Sequence, residues 1–140
     1  MTASLSITLK NNRREIARIA ELIETFGREH AIGADDVAGV NLALDEVLAN
    51  IIGHAYDDRA LHDIHVHLRI VNREIDVEVE DDGKPFNPLT WPPPDLDVPF
   101  EQRPVGGLGL HIARTVVDSM EYRRDGPRNV LTMRKRLSSA

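Results

Sequence analysis

Residues 42–56 read LALDEVLANIIGHAY, and they decide how the rest of the chain is interpreted. Val40, Leu44, Val47, Leu48, Ile51 and Ala55 recur at the helical period, so this stretch is an amphipathic helix with one apolar side. Glu46, Asn50 and His54 stand four residues apart, which on a helix puts all three on one face. Taken alone, such a face is ordinarily the wet side of a surface helix. It becomes a candidate site only if other parts of the chain build a cleft against it. Then Glu46 can take a proton from an attacking hydroxyl. Asn50 offers a hard, neutral carbonyl oxygen suited to Mg²⁺ beside phosphates.

The chain has 140 residues, which reads most simply as one domain with a core of useful size. Its apolar content of 41% is ordinary for a globular protein. No apolar run approaches the roughly 20 residues that span a bilayer, so no membrane partner is expected. The start, MTASLSITLK, lacks a charged segment followed by an apolar block and does not read as a signal peptide. Cysteine is absent, which excludes disulfides and thiol chemistry. A formal charge of −6 argues against a broad basic surface for nucleic acid. It does not argue against ATP, because backbone N–H groups and a metal ion can hold phosphate.

Outward from the central helix, residues 4–10 alternate as a short strand with Leu5, Ile7 and Leu9 on one face. Asn11 and Asn12 are candidate N-caps for a first helix carrying Ile16, Ile19, Ala20, Ile23 and Phe26, ending near residues 27–30. Asp35 and Asp36 suit the first turn of the second helix, which is expected to run to about Tyr56. Ile64, Val66, Leu68 and Ile70, then Ile75, Val77 and Val79, alternate with polar residues and predict a hairpin with one buried face. His65 and His67 fall on its outward side and are read as exposed rather than metal-bound. Residues 84–105 hold seven of the eight prolines and can be neither a regular helix nor a central strand. A third helix opens at Gly106-Gly107-Leu108-Gly109. A second hairpin over Met120–Leu137 turns at Asp125-Gly126-Pro127. This order predicts helices layered on one face of a mixed or antiparallel sheet.

Two further stretches bear on chemistry. Glu80-Asp81-Asp82-Gly83 ends a strand. It is either a polar turn in which Gly83 supplies a positive φ, or a pocket wall. In the second reading a carboxylate accepts from an exocyclic amine such as adenine's, and the glycine lets the backbone approach the ring. Gly106-Gly107-Leu108-Gly109 at a helix start offers free N–H groups to a phosphate, or merely closes a loop. Neither a GxxxxGK[ST] loop nor a GxGxxG fingerprint is present.

Each signal is weak singly. Together Glu46-x-x-x-Asn50, Asp81-x-Gly83 and Gly107-Leu108-Gly109, in this order over nearly the whole chain, resemble the GHKL (Bergerat-fold) ATPase superfamily of gyrase, Hsp90, histidine kinases and MutL. Within it, the short chain resembles the anti-sigma-factor serine/threonine kinases, the RsbW-like regulators. The resemblance implies an α/β (α+β) two-layer sandwich, with a mixed, mostly antiparallel sheet and helices on one face. It implies a single ATPase domain over 1–140, whose ATP lid spans approximately 84–105, working in the cytoplasm with ATP and Mg²⁺. Glu46 matches the general base and Asn50 the Mg²⁺ ligand in the nucleotide site. Asp81 matches the acceptor of the adenine amino group, with Gly83 beside the ring. Gly107, Leu108 and Gly109 match the turn that approaches the phosphates.

The implied partners are an anti-sigma antagonist protein, whose serine or threonine is phosphorylated, and a sigma factor. A homodimer is among the expected assemblies, since the family's kinases commonly dimerise. Two departures stand out: Asn87 occupies a place where close relatives often carry Asp, and Trp91-Pro92-Pro93-Pro94 follows no family pattern. The first helix has no histidine in its body, which argues against a self-contained sensor histidine kinase. Besides the kinase, two readings stay open: a non-catalytic, ATP-shaped binding module, and the ATPase domain of another two-component-like signalling system.

Overall fold

The computed structural model describes residues 2–87 and 107–138. Eight elements follow one another: β1 (Thr2–Lys10), α1 (Arg14–Glu29), α2 (Ala34–His54), β2 (Asp63–Val71), β3 (Glu74–Asp81), α3 (Gly107–Val116), β4 (Ser119–Asp125) and β5 (Arg128–Arg136). The strands form one sheet in the order β1-β2-β3-β5-β4. Every pairing is antiparallel, so the mixed alternative falls away.

The alternation along the strands sets which face is covered. Ile7, Leu9, Ile64, Val66, Leu68, Ile75, Val77, Val79, Leu131 and Met133 are buried under the helices. They meet Ile19, Ile23 and Phe26 of α1 and Val40, Ala43, Leu44, Val47, Leu48 and Ile51 of α2. Burying one such side chain contributes about 1.5–3 kcal/mol, so this seam holds the two layers together. On the opposite face His65 and His67 bond through Nδ1 to the Thr8 and Ser6 hydroxyls of β1, at 3.1 and 2.7 Å.

Local chemistry sets the ends. Asn12 works as an Asx turn rather than as the cap itself: its Oδ1 accepts from Arg14 N at 2.9 Å, while the cap position is Arg13. α1 closes when Ile32 N reaches back to Gly27 O at 2.9 Å, with Ala31 left-handed at φ 56°. α2 stops at His54, two residues short of the expected end. Asp36 is not simply a first-turn acid. It is 4% exposed and accepts from Ser138 N at 2.8 Å and from its hydroxyl at 3.3 Å, fastening the last strand to the start of α2. The β2–β3 turn has positive φ at both Asn72 and Arg73, the geometry that matches strand twist in a two-residue hairpin.

The strand order has one consequence for function. β5 lies between β3 and β4, so the end of β3 pairs with the start of β5, and Asp81 stands opposite Asn129. Of the expected lid over residues 84–105, residues 88–105 lie outside those described.

Candidate active site

The α2 face and the end of β3 meet at one narrow cavity of about 20 Å³. Its wall is Val47, Asn50, Ile51, Asp81, Phe86, Tyr122, Asn129 and Leu131. Mostly apolar, with a few convergent polar groups, it has the make-up of a small-molecule pocket.

Asn50 and Asp81, two of the residues singled out in the sequence, therefore line the same space. Asn50 is 4% exposed. Its Nδ2 donates to the Glu46 carbonyl one turn earlier at 2.7 Å, which fixes which end of the amide is oxygen. Its Oδ1 is buried and has no hydrogen-bond partner among the described residues. Such orphans are uncommon in folded proteins, because desolvating an acceptor without replacing its bond costs about 1–3 kcal/mol. Glu46 is partly buried beside it. The neighbouring Asp45 has its pKa raised, first by burial and then by the charge of Glu46.

Asp81 is 2% exposed. Its Oδ1 accepts from Gly83 N at 2.9 Å and from Asn129 Nδ2 at 3.0 Å. Burial pushes its pKa up, while the Asn129 and Gly83 donors and the Arg124 guanidinium pull it down. Its Oδ2 takes no bond among the described residues and remains as the acceptor.

Gly83 has a different task from either one read in the sequence. Among the described glycines only Gly126 has a positive φ, so Gly83 is not there for handedness. A Cβ at position 83 would lie 2.6 Å from both the Ala55 Cβ and the Ala55 carbonyl oxygen. The missing side chain lets the β3 exit press against the end of α2, where Lys84 N donates to Ala55 O at 2.9 Å. It seats the pocket on the helix.

Asn129 is the residue that sequence reasoning missed. It is 4% exposed, and its Nδ2 also donates to Lys84 O at 2.9 Å. Its Oδ1 accepts from Tyr122 Oη and, at 3.1 Å, from Arg124 Nη1. Arg124 Nη1 also donates to Gly83 O at 2.7 Å. The available signal was parity: Asn129 shares the inward side of β5 with Leu131 and Met133. His54, on the same helix face as Glu46 and Asn50, stacks on Phe86 of the cavity wall with ring centroids 6.0 Å apart.

Gly107, Leu108 and Gly109 form the first turn of α3. That helix packs on α2, and a Cβ at Gly39 would lie 3.1 Å from Val116 Cγ1 at its far end. Its first N–H groups have no partner within the helix.

The buried, unpartnered Asn50 Oδ1 and the Asp81 carboxylate thus line one cavity between helix and sheet, while Glu46 lies one helical turn before Asn50 and is not part of the cavity wall. The model of the histidine kinase-like ATPase domain family matches residues 9–135, and the chain belongs to that family. It is 31% identical over 94 residues to the serine/threonine-protein kinase BtrW of Bordetella bronchiseptica, covering 67% of this chain and 66% of that one. It is 30% identical over 101 residues to the serine-protein kinase RsbW of Bacillus mycoides, covering 69% and 62%. The chain thus spans less than two thirds of the length of these relatives. A crystal structure of the RsbU and RsbW domains of a Mycobacterium tuberculosis protein superposes with a TM-score of 0.68 over 99% of this chain and 33% of that one. At 16% identity this bears on the fold. No helix among the described residues is long and apolar enough to cross a membrane.

Proposed function

We propose that this chain is an ATP-dependent serine/threonine-protein kinase of the anti-sigma type. In this reading it phosphorylates a small antagonist protein, sequesters a sigma factor and works in the cytoplasm as one ATPase domain. The observation that carries it is the orphaned Asn50 Oδ1, buried on the wall of the cavity that Asp81 closes and one turn beyond Glu46. The kinase names of BtrW and RsbW support the same reading.

In this function Asp81 Oδ2 accepts from the adenine amino group, and the apolar wall of Val47, Ile51, Phe86 and Leu131 takes the ring. The first turn of α3, with Gly107, Leu108 and Gly109, offers its N–H groups to the phosphates. Asn50 Oδ1 suits Mg²⁺, a hard cation that shares carbonyl ligands with phosphate oxygens and would neutralise charge developing there. Glu46 accepts the proton of the attacking serine or threonine hydroxyl, whose oxygen bonds to the γ-phosphorus as the bond to ADP breaks.

The test is transfer of labelled phosphate from ATP to the antagonist protein encoded nearest this chain's reading frame. Wild type should yield phosphoprotein, and Glu46→Gln should bind ATP while losing transfer by about 10²–10⁴-fold. Equal transfer by both proteins removes Glu46 from the mechanism. Nucleotide-dependent sigma binding with no phosphoproduct from wild type selects the binding-module alternative.

A further inference from the structure

The chain has three lysines, and they are used differently. Lys10 pairs with Asp63 at 2.6 Å and Lys84 with Asp57 at 3.0 Å, both at the surface. Lys135 points inward. It shares the inner side of β5 with Met133 and stands opposite Ile75, among Val40, Ala43, Val77 and Val117. A cation turned toward a core needs a partner, and among the described residues no carboxylate pairs with it. Lys135 Nζ instead donates to the carbonyl oxygen of Val116 at 3.2 Å. Val116 is the last residue of α3. Its carbonyl belongs to the set that a helix end leaves unpaired, at the negative end of the helix dipole.

The stem of Lys135 reaches that carbonyl across Gly39 of α2. A Cβ at position 39 would stand 3.3 Å from Lys135 Cε and 3.1 Å from Val116 Cγ1. Two more bonds fasten the same corner: Asp118 N donates to Arg134 O at 2.8 Å, and Arg136 N donates to the Asp118 carboxylate. β5 therefore holds the C-terminal end of α3 at residues 134–136, while its first residues hold Asp81 through Asn129. One strand sets both the base pocket and the anchor of the helix.

α3 has ten residues and so is about 15 Å long. As a rigid lever, a tilt of about 10° at the anchored end moves its first turn by roughly 2.6 Å. A misplacement of that size matters to phosphate groups held by N–H donors.

We infer that Lys135 is a positioning residue for nucleotide binding: by capping α3 across Gly39 it aims the helix's first turn at the phosphates of ATP. The inference rests on the phosphate seat described above, and it separates the phosphates from the base. Lys135 touches neither, so its loss weakens the triphosphate and leaves adenosine alone.

Calorimetric titration with ATP and with adenosine, on wild type and on Lys135→Met, Lys135→Arg and Gly39→Ala, tests this, with each variant's unfolding midpoint measured alongside. Lys135→Met keeps the stem and loses the donor. It should weaken ATP by about fivefold, the size of a helix-end charge effect, with adenosine unchanged. Lys135→Arg should recover most of the loss, and Gly39→Ala should weaken ATP in the same selective way. Parallel weakening of both ligands, or no change in either, overturns the positioning role. A wild type that binds ATP no tighter than adenosine overturns the phosphate seat, and this inference with it. A wild type that prefers ATP, beside an unchanged Lys135→Met, overturns the inference alone.

Discussion

Asn129 Nδ2 donates to Asp81 Oδ1 at 3.0 Å from the position directly opposite in the sheet. The two side chains are the polar floor of an otherwise apolar cavity. Asn129→Ala removes that donor and strands the Tyr122 hydroxyl and the Lys84 carbonyl, both of which Asn129 satisfies. Leaving such groups unpaired at a buried site is expected to cost about 2–4 kcal/mol, read by urea unfolding. Without this donor, burial acts on Asp81 with less opposition, and its pKa rises further. Adenine-nucleotide binding by the variant should then fail first at the acid end of a pH series. Binding that falls equally at all pH values would show that Asn129 acts only on shape.

Gly83→Ala is expected to destabilise by about 1–3 kcal/mol, because the new methyl meets the Ala55 backbone oxygen as well as its side chain. Adding Ala55→Gly should give little back. It removes the Ala55 Cβ but leaves the carbonyl, equally close at 2.6 Å, where it was. Thermal unfolding of the single and double variants decides. Full recovery in the double variant would mean that the side chain, not the backbone, sets the close approach.

These two residues also show where sequence reading reaches and where it stops. Helix α2 and the β2–β3 hairpin are legible because their apolar residues keep a strict period against one shared core, whereas the β4–β5 hairpin is marked by its turn, since β5 buries Asn129, Val130 and Leu131 in a row. Asp81 and Asn50 stand out in the sequence only through the order of Glu46-x-x-x-Asn50, Asp81-x-Gly83 and Gly107-Leu108-Gly109, and the fold brings the two to one cavity. The insertion of β5 between β3 and β4 was not legible. It depends on where α3 carries the chain after a proline-rich stretch that has no periodicity. Asn129 escapes for the same reason, since an asparagine two residues after Asp125-Gly126-Pro127 reads as part of the turn. Asp36 suited a helix's first turn, and its bonds to Ser138 join residues 102 positions apart. For Gly83 the sequence suggests a positive φ or an approach to a base ring, whereas the close approach seen is to Ala55.

His62 provides a pH dependence with a definite sign. Its Nε2 lies 2.8 Å from Asp58 and its Nδ1 3.4 Å from Asp82, while its ring stacks on Tyr56 at 4.2 Å. Tyr56 in turn donates to Asp82 at 3.2 Å. The hydrogen bond to Asp58 leads in raising the His62 pKa, burial opposes it, and the charges of Asp58 and Asp82 add to it. A raised folded pKa means that the protonated form favours the fold. The contribution is complete below the unfolded value of about 6.5 and is lost as pH rises through the folded value. Wild type should therefore exceed His62→Gln in urea midpoint at pH 5.5, with the gap closing by pH 8.5. The His62 ring proton should titrate above 6.5 in NMR. A gap that widens with pH would reverse the assignment.

Asn50 sets stability against function. Its buried Oδ1 bonds to nothing among the described residues, so folding bears the desolvation of that oxygen without return. Leucine is close in volume and suits a wall shared with Val47, Ile51 and Leu131. Asn50→Leu gives up the 2.7 Å bond from Nδ2 to the Glu46 carbonyl, an acceptor already used by the helix ladder. It also relieves the orphan. The balance favours the variant by about 1 kcal/mol in urea unfolding. The proposed role makes the opposite demand, because the free oxygen is what suits Mg²⁺ beside ATP. Calorimetry should therefore find that ATP affinity, Mg²⁺-dependent in wild type, no longer responds to Mg²⁺ in Asn50→Leu. A variant that is more stable yet still binds ATP in a Mg²⁺-dependent way would remove Asn50 from the metal site. A less stable variant would show that the oxygen is satisfied in solution.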